Sequence, residues 1–356
     1  MIENPRFYYV FVGTYGTESD EAIQILLFDS TLGSLKKIGS ASGVSNPSYL
    51  TVNEDLTRAY AISEVEEGQA VSYEVHATDG KLNEINRIAT VGSSPCYVHL
   101  SQDEQYLLTA NYGGESVSLL GLSKEGAIHS LENVKSYSDS NKKKTSHPHQ
   151  IKNIANSNKY LVTDLGLDKI YLYELHSKTL ELVLINEIAA VPGSGPRHFT
   201  VFPEKRMVYV VNEFNSKISV YSYDEKIETL ELVQEIGTIP NGFEGDNYGA
   251  DIHITPSGEY VYASNRGHQS LTTYKVLADG KLETVGCSST KGEWPRNFAI
   301  VPNEEYILTA NQNSHSIIVM KIGDQGVPEA TGHIYDINSP VCLQIFPMVN
   351  PNQYSR

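Results

Sequence analysis

The chain is poor in the residues that build cross-linked, metal-bound or membrane-spanning proteins. Its 3 cysteines, Cys96, Cys287 and Cys342, are too few and too scattered for a disulfide framework or a paired metal motif. That usage fits a reducing compartment, and a cytoplasmic location is expected. No stretch is apolar for the roughly 18 residues a transmembrane helix needs. The N-terminus carries Glu3, Pro5 and only a short apolar stretch, Phe7 to Val12, where a secretory signal needs a basic start and a longer apolar core. Positive charge is also scarce: 27 Lys and Arg against 43 Asp and Glu leave a formal charge of −16. Nucleic acid and anionic membranes need a basic footprint, so neither is expected as a partner. A small anionic molecule held by a few local arginines remains open. No P-loop, GxSxG elbow or dinucleotide fingerprint lies in its required context, and no cofactor is expected. Sustained helical periodicity is absent as well.

What is present is tyrosine, valine and a repeat. The 23 tyrosines favour strands. One pattern recurs along the chain: a small residue, Pro, a short apolar strand, a polar turn, a Tyr-rich strand, then Asn or Asp. Its copies include SNPSYLTVNEDLTRAYAISE from Ser45, SSPCYVHLSQDEQYLLTANY from Ser93 and EWPRNFAIVPNEEYILTANQ from Glu293. The anchors are Pro47, Pro95, Pro148, Pro196, Gly249, Pro295 and Pro340. Each full unit adds two more strand-like runs. Four short strands per unit of about 45 residues is the arithmetic of a propeller blade. The last anchor is followed by one strand only, and the N-terminal runs FYYVFVGTY, AIQILLFD and SLKKIGSAS supply the missing three. The expectation is all-β: a seven-bladed β-propeller with four antiparallel strands per blade. Its ring closes by pairing N- and C-terminal strands, as one domain over residues 1–356. The polar insertion Ser136 to Thr145, with its Lys142–Lys144 run, reads as a solvated loop.

In such a ring the starts of all first strands and the ends of all second strands converge at one mouth of the central channel. The column at the second-strand ends reads Ser63, Asn111, Asp164, Asn212, Asn265, Asn311 and Thr14. It is nearly uniform and reads as structural, hydrogen-bonding local backbone. The next column, Glu64, Tyr112, Leu165, Glu213, Arg266, Gln312 and Tyr15, has no common residue type. Neither does the column after the anchors: Ser48, Cys96, His149, Arg197, Ala250, Arg296 and Val341. Departures from the repeat mark candidate sites. Hairpin register pairs Arg197 with Glu213, either as a plain inter-strand ion pair or as part of a site. His149, Glu213, Arg197 and Arg266 are the catalytic candidates. Arg296, His147, His198, Tyr112 and Asn111 are candidate substrate contacts. His147 and His149 could begin a metal site, but spacing supplies no third or fourth ligand, so no metal is expected. One His, one Glu and several Arg suit acid/base work on an anionic substrate.

The motifs SHPHQI, TDLGLDKIYLYEL, GPRHFTVFP, VYVVNEFNSKISVYSYD, GADIHITPSGEYVYASNRGHQSLTTYKV and WPRNFAIVPN together resemble the seven-bladed propeller lactonase family. That family includes bacterial propeller-type 6-phosphogluconolactonases and fungal carboxymuconate cyclases. The resemblance runs from Tyr9 to Pro347 and implies a cytoplasmic, metal-free site on the propeller axis that opens or forms lactones. It places the family's site residues on His149, on Arg197 of GPRH, on Glu213 of VNE and on Arg266 of SNR. The strand after His149 continues IKNIANSNKY, without the Pro-containing turn common in the family, which leaves the His147/His149 register open by two residues. The implied reaction is hydrolysis of 6-phosphogluconolactone to 6-phosphogluconate, a pentose-phosphate step, with either His149 or Glu213 as the base. The alternatives are an enzyme acting on another anionic lactone, including muconolactone chemistry, and a non-catalytic propeller that binds a ligand or partner. A monomer or weak homo-oligomer is expected.

Overall fold

The computed structural model describes residues 5–139 and 143–348 and consists of seven four-stranded sheets arranged as blades. The innermost strands are Leu50–Val52, Pro95–Leu100, Pro148–Asn153, Pro196–Phe202, Tyr248–Ile254, Pro295–Ile300 and Pro340–Pro347. They belong to blades 1 to 7 in that order, and innermost strands of neighbouring blades pack against one another. Blade 7 is shared between the chain ends. Pro340–Pro347 pairs antiparallel with Phe7–Thr14, which continues through Ile23–Asp29 to Ser34–Ala41. This is the closure the sequence predicts, and it gives Phe7–Thr14 a ladder partner on both sides.

Burial follows blade geometry. Second and third strands are covered on both faces by neighbouring sheets, so Tyr106–Asn111 and Ser116–Leu122 are buried at every residue. Outer strands such as Lys81–Ala89 (KLNEINRIA) face water and turn polar. The blades are also tied by hydrogen bonds. Tyr209 Oη donates to Gly280 O of the next blade at 2.8 Å, and Tyr262 Oη to Gly326 O at 2.7 Å. Gly326 sits at φ +75°, and a Cβ there would lie 2.6 Å from the Tyr260 ring, so the turn requires glycine on both counts.

The anchors have a structural consequence that repeats. Pro148 pairs with Asp164 while Gln150 pairs with Thr163, so His149 is an extra residue in the ladder. The same register shift isolates Arg197 after Pro196, Arg296 after Pro295, Cys96 after Pro95 and Val341 after Pro340. In blade 5 it falls between Gly249 and Ile252. A bulge of this kind turns its residue out of the strict in/out alternation. Proline tolerates the first position because its missing N–H is not needed there.

The loop that carries Lys142–Lys144 differs from the expectation. Lys142 lies outside the described residues. Lys144 is not merely solvated: its Nζ donates to Asp168 Oδ2 at 2.6 Å. Asp168 is buried and also accepts from the backbone N–H groups of Gly193 and Gly195. A buried carboxylate needs a charge partner, and the nearest loop supplies one.

Replacing Tyr262 with Phe is expected to cost about 1–2 kcal/mol, because the Gly326 carbonyl loses its buried donor. Chemical denaturation reads this as a lower midpoint at unchanged slope.

Candidate active site

The near-uniform column closes the blades. Asn111 is fully buried, and its amide donates to Ser116 Oγ at 3.1 Å and Ser118 Oγ at 3.0 Å. Asn212 bonds Ser219, and Asn265 bonds Ser270, Thr272 and the Thr238 carbonyl. These side chains stitch the second strand to the third. Asn111 therefore acts as a bracket inside its blade, with both amide hydrogens directed to the third strand.

One residue further along, the side chains gather at the axis. Glu213 follows the strand Met207–Asn212, and its N–H bonds Gly195 O at 2.7 Å. Its Oε2 lies 3.0 Å from Arg197 Nε and 2.8 Å from Arg266 Nη2. Two blades thus place guanidinium groups on one carboxylate oxygen. Arg197 is 1% exposed and also bonds Ala250 O, while Arg266 bonds Gly249 O at 2.9 Å. The Nε–H of Arg197 faces the Glu213 carboxylate, whereas the Nε–H of Arg266 is buried with no hydrogen-bond acceptor. Such orphan donors are rare in a scaffold and frequent where a ligand completes the site.

Arg296 arrives from blade 6 and makes no carboxylate ion pair among the described residues. Its guanidinium stacks on Tyr15 at 5.4 Å, and Tyr15 Oη donates to Glu64 Oε2 at 3.0 Å. From blade 3, His149 lies buried beside His198, with ring centroids 5.0 Å apart, and beside Tyr112 at 5.8 Å. His147 precedes the strand. Its ring stacks flat on Tyr112 at 4.3 Å, and its Nδ1 bonds Tyr112 O at 3.0 Å. His149 is therefore the bulge residue of the axis and His147 a neighbour at the rim. All seven blades contribute to this mouth, and Trp294 flanks it against Arg266 at 5.5 Å.

Electrostatics follow from this crowding. Burial alone would raise the Glu213 carboxyl, but Arg266 and Arg197, with Arg296 behind them, hold it below its ordinary range. Burial, then Arg197, His198, Arg296 and Arg266, pushes His149 well below the ordinary histidine value, so the ring is neutral. Burial also lowers Arg266, to about 9, with Arg197 adding to the fall and Glu213 opposing it. Arg296 behaves oppositely: burial lowers it, but Tyr15, Glu64 and Glu213 raise it above its ordinary value. It is the firmest positive charge at the mouth.

A second ring of buried side chains underlies the first, two residues past the anchors: Tyr49, Tyr97, Gln150, His198, Asp251, Asn297 and Cys342. Gln150 Nε2 bonds Tyr97 Oη at 2.9 Å, and Asp251 accepts from His198 Nδ1 at 2.8 Å and Asn297 Nδ2 at 2.5 Å. His198, a candidate substrate contact from sequence, belongs to this lower ring. Sequence reasoning passed over Asp251, and it left Glu64 and Tyr15 unchosen in a column it had already marked as irregular. The signal for Asp251 was a carboxylate within a first strand, Tyr248–Ile254, whose other residues are apolar except His253. Tyr49, Tyr97, Gln150 and Asp251 of this ring also line a cavity of about 330 Å³ together with Lys152 and His253. Among the described residues, no group of three or more His, Cys, Asp or Glu side chains is arranged to hold a metal ion, and no helix is long and apolar enough to cross a membrane.

The sequence model of the family described as lactonase, 7-bladed beta-propeller, matches residues 9–345. A Bacillus subtilis protein named 6-phosphogluconolactonase is 28% identical over 319 residues, covering 88% of this chain and 91% of its own length. One of the same name from Formosa agariphila is 28% identical over 328 residues, covering 88% of this chain and 92% of its own. The solved structure of the Pseudomonas aeruginosa periplasmic gluconolactonase PpgL superposes with a TM-score of 0.88 at 30% identity, covering 96% of this chain and 99% of that one. Similar proteins thus include a periplasmic one, and the fold does not fix the compartment. The chain belongs to the seven-bladed β-propeller lactonase family, and it is a lactone-hydrolysing enzyme.

Proposed function

We propose that this lactonase hydrolyses 6-phospho-D-glucono-1,5-lactone to 6-phosphogluconate at the mouth formed by His149, Glu213, Arg197, Arg266 and Arg296. The observation that carries the reading is three arginines converging on one mouth of a chain whose net charge is −16. Local cationic focusing of this kind selects a small anion, not a polyanion. The relatives named 6-phosphogluconolactonase support the same substrate. The name of PpgL, a gluconolactonase, favours an uncharged lactone as the second reading.

The roles divide by environment. Glu213 is clamped by two guanidinium groups, which makes it a weak base and a good organiser. His149 is neutral and takes a proton from water as the water oxygen adds to the lactone carbonyl carbon. The guanidinium charges of Arg197 and Arg266, the latter with an unpartnered Nε–H, stabilise the oxyanion that forms. The bond from C1 to the ring oxygen then breaks, and His149 returns the proton to that oxygen to give the hydroxyl. Arg296 holds the phosphate with a two-pronged contact. Tyr112 and His147 line the rim on the far side.

Glu213→Gln is expected to lower kcat/KM by about 10–100-fold while the fold persists, because Arg197 and Arg266 lose the charged partner that aligns them. The assay is coupled oxidation of product by 6-phosphogluconate dehydrogenase, with spontaneous hydrolysis subtracted. Undiminished activity would refute the site.

Arg296→Ala is expected to raise KM for the phosphorylated lactone by about 10–100-fold and to leave glucono-1,5-lactone unaffected, since one charge-assisted bidentate contact is worth about 1.5–3 kcal/mol. Equal losses on both substrates would favour the uncharged lactone instead.

Activity should persist below pH 6.5, the ordinary histidine value, because the base is depressed and stays unprotonated there. Stability, in contrast, declines over that range. Below about pH 6.5 the unfolded chain takes up protons that native His149 and His198 refuse, so the melting temperature falls with pH. A kcat/KM profile that drops at pH 6.5 or above would contradict His149 as the base.

A further inference from the structure

Two ring nitrogens on the axis are buried without a hydrogen-bond partner, and they belong to adjacent rings. They are Nδ1 of His149 and Nε2 of His198. The ring centroids are 5.0 Å apart, with planes at 70°. His198 is fixed from its other side, where Nδ1 faces Asp251 Oδ1 at 2.8 Å. A carboxylate only accepts, so the His198 proton sits on Nδ1 and its Nε2 carries a lone pair. The His149 Nδ1 is thus an unpaired group beside an unpaired acceptor. A neutral ring that donates from Nδ1 satisfies both at once. The other nitrogen of His149 is not among the buried unpaired atoms, and it is the one left for the mouth.

Asp251 is itself built in firmly. It is 2% exposed and accepts from His198, from His253 Nε2 at 2.9 Å, from Asn297 Nδ2 at 2.5 Å and from Ile252 N at 3.0 Å. At the equivalent place other blades carry Tyr97, Gln150, Asn297 or Cys342, so the ladder does not require a carboxylate here. We propose that Asp251 and His198 are positioning residues for His149. Asp251 fixes the His198 tautomer, and His198 Nε2 accepts the Nδ1–H of His149, through a small ring rotation or one water. His149 then presents an unprotonated Nε2 to the substrate water. This deepens the hydrolysis reading above and rests on it.

The proton balance is closed. His149 Nε2 receives the proton from water and hands it to the leaving ring oxygen. His198 and Asp251 keep their own protonation states, and the Asp251 charge stabilises the transient imidazolium through His198. The charged and titratable groups that face His149 are Arg197, Arg266 and Arg296 from blades 4 to 6, Tyr112 and Cys96 from blade 2, and His198 below. Those facing Asp251 are His198, His253, Arg197, Tyr49, Tyr97, Cys342 and, through the channel, Lys152. The three arginines oppose protonation of His149, so the Asp251–His198 pair is the counterweight that lets a ring in that field accept a proton.

The test uses the full chain with ¹⁵N-labelled histidine, read by long-range ¹H–¹⁵N spectra and by kinetics. Wild-type His149 should show the Nδ1–H tautomer. His198→Asn keeps a donor for Asp251 but ends short of His149. It should release the His149 tautomer and lower kcat by about 10–100-fold with KM within about twofold, part of the 10²–10⁴ that a positioned base supplies. His198→Gln reaches the Nε2 position and should restore both readouts in part. His253→Gln, on the other carboxylate oxygen, should leave the tautomer in place. Thermal unfolding near the wild type checks the fold. An Nε2–H tautomer in wild-type His149, or a tautomer indifferent to His198→Asn, overturns the proposal. Absence of lactone turnover in the wild type overturns the functional reading and the base role with it, whereas the tautomer spectrum reads the His149–His198 pairing independently.

Discussion

The whole arrangement depends on one ladder of hydrogen bonds, that between Pro340–Pro347 and Phe7–Thr14. Seven twisted sheets around an axis are held as a ring only if the first and last share a blade. Once closed, every innermost strand must start at the same mouth, and groups hundreds of residues apart become neighbours. Tyr335 near the C-terminus reaches Gln24 near the N-terminus at 3.0 Å as part of this closure. The mouth is a consequence of ring geometry before it is a site.

Placement at the mouth is set by the bulge after each anchor. A strict strand would send alternate residues into the two blade faces, where the apolar interfaces lie. The extra residue leaves that alternation, so a charged or titratable side chain can occupy it without being buried between sheets. His149, Arg197 and Arg296 use this freedom, while Cys96 and Val341 occupy it without charge. The chain thereby changes chemistry blade by blade with no cost to the scaffold. The Asn and Asp side chains one step away, bonded within their blades, keep the strands in register beside these charges.

Burying so much charge requires mutual compensation. Glu213 answers Arg197 and Arg266, Glu64 and Tyr15 surround Arg296, and Asp251 answers two histidines one layer below. The same compensation spreads the ionisation behaviour. Glu213 and Asp251 stay charged while His149 and His198 stay neutral, which are the states that water activation at an anionic lactone calls for.

The sequence by itself determined the blade count, the closing strand and the pairing of Arg197 with Glu213. All three follow from local information: a period, a missing set of strands and the register of a hairpin. It also marked the irregular columns that hold Glu64, Tyr112, Arg266 and Tyr15. What only the tertiary structure decided is which of these touch across blades, and in which layer. Asn111 and Tyr112 are adjacent in sequence, yet one is locked inside its blade and the other meets His147. Asp251 and His198 lie 53 residues apart and form one pair. Hairpin register is set within a segment, whereas contacts across the axis are set by the closure of the entire ring, and no periodicity in the chain encodes the distance between two blades' side chains.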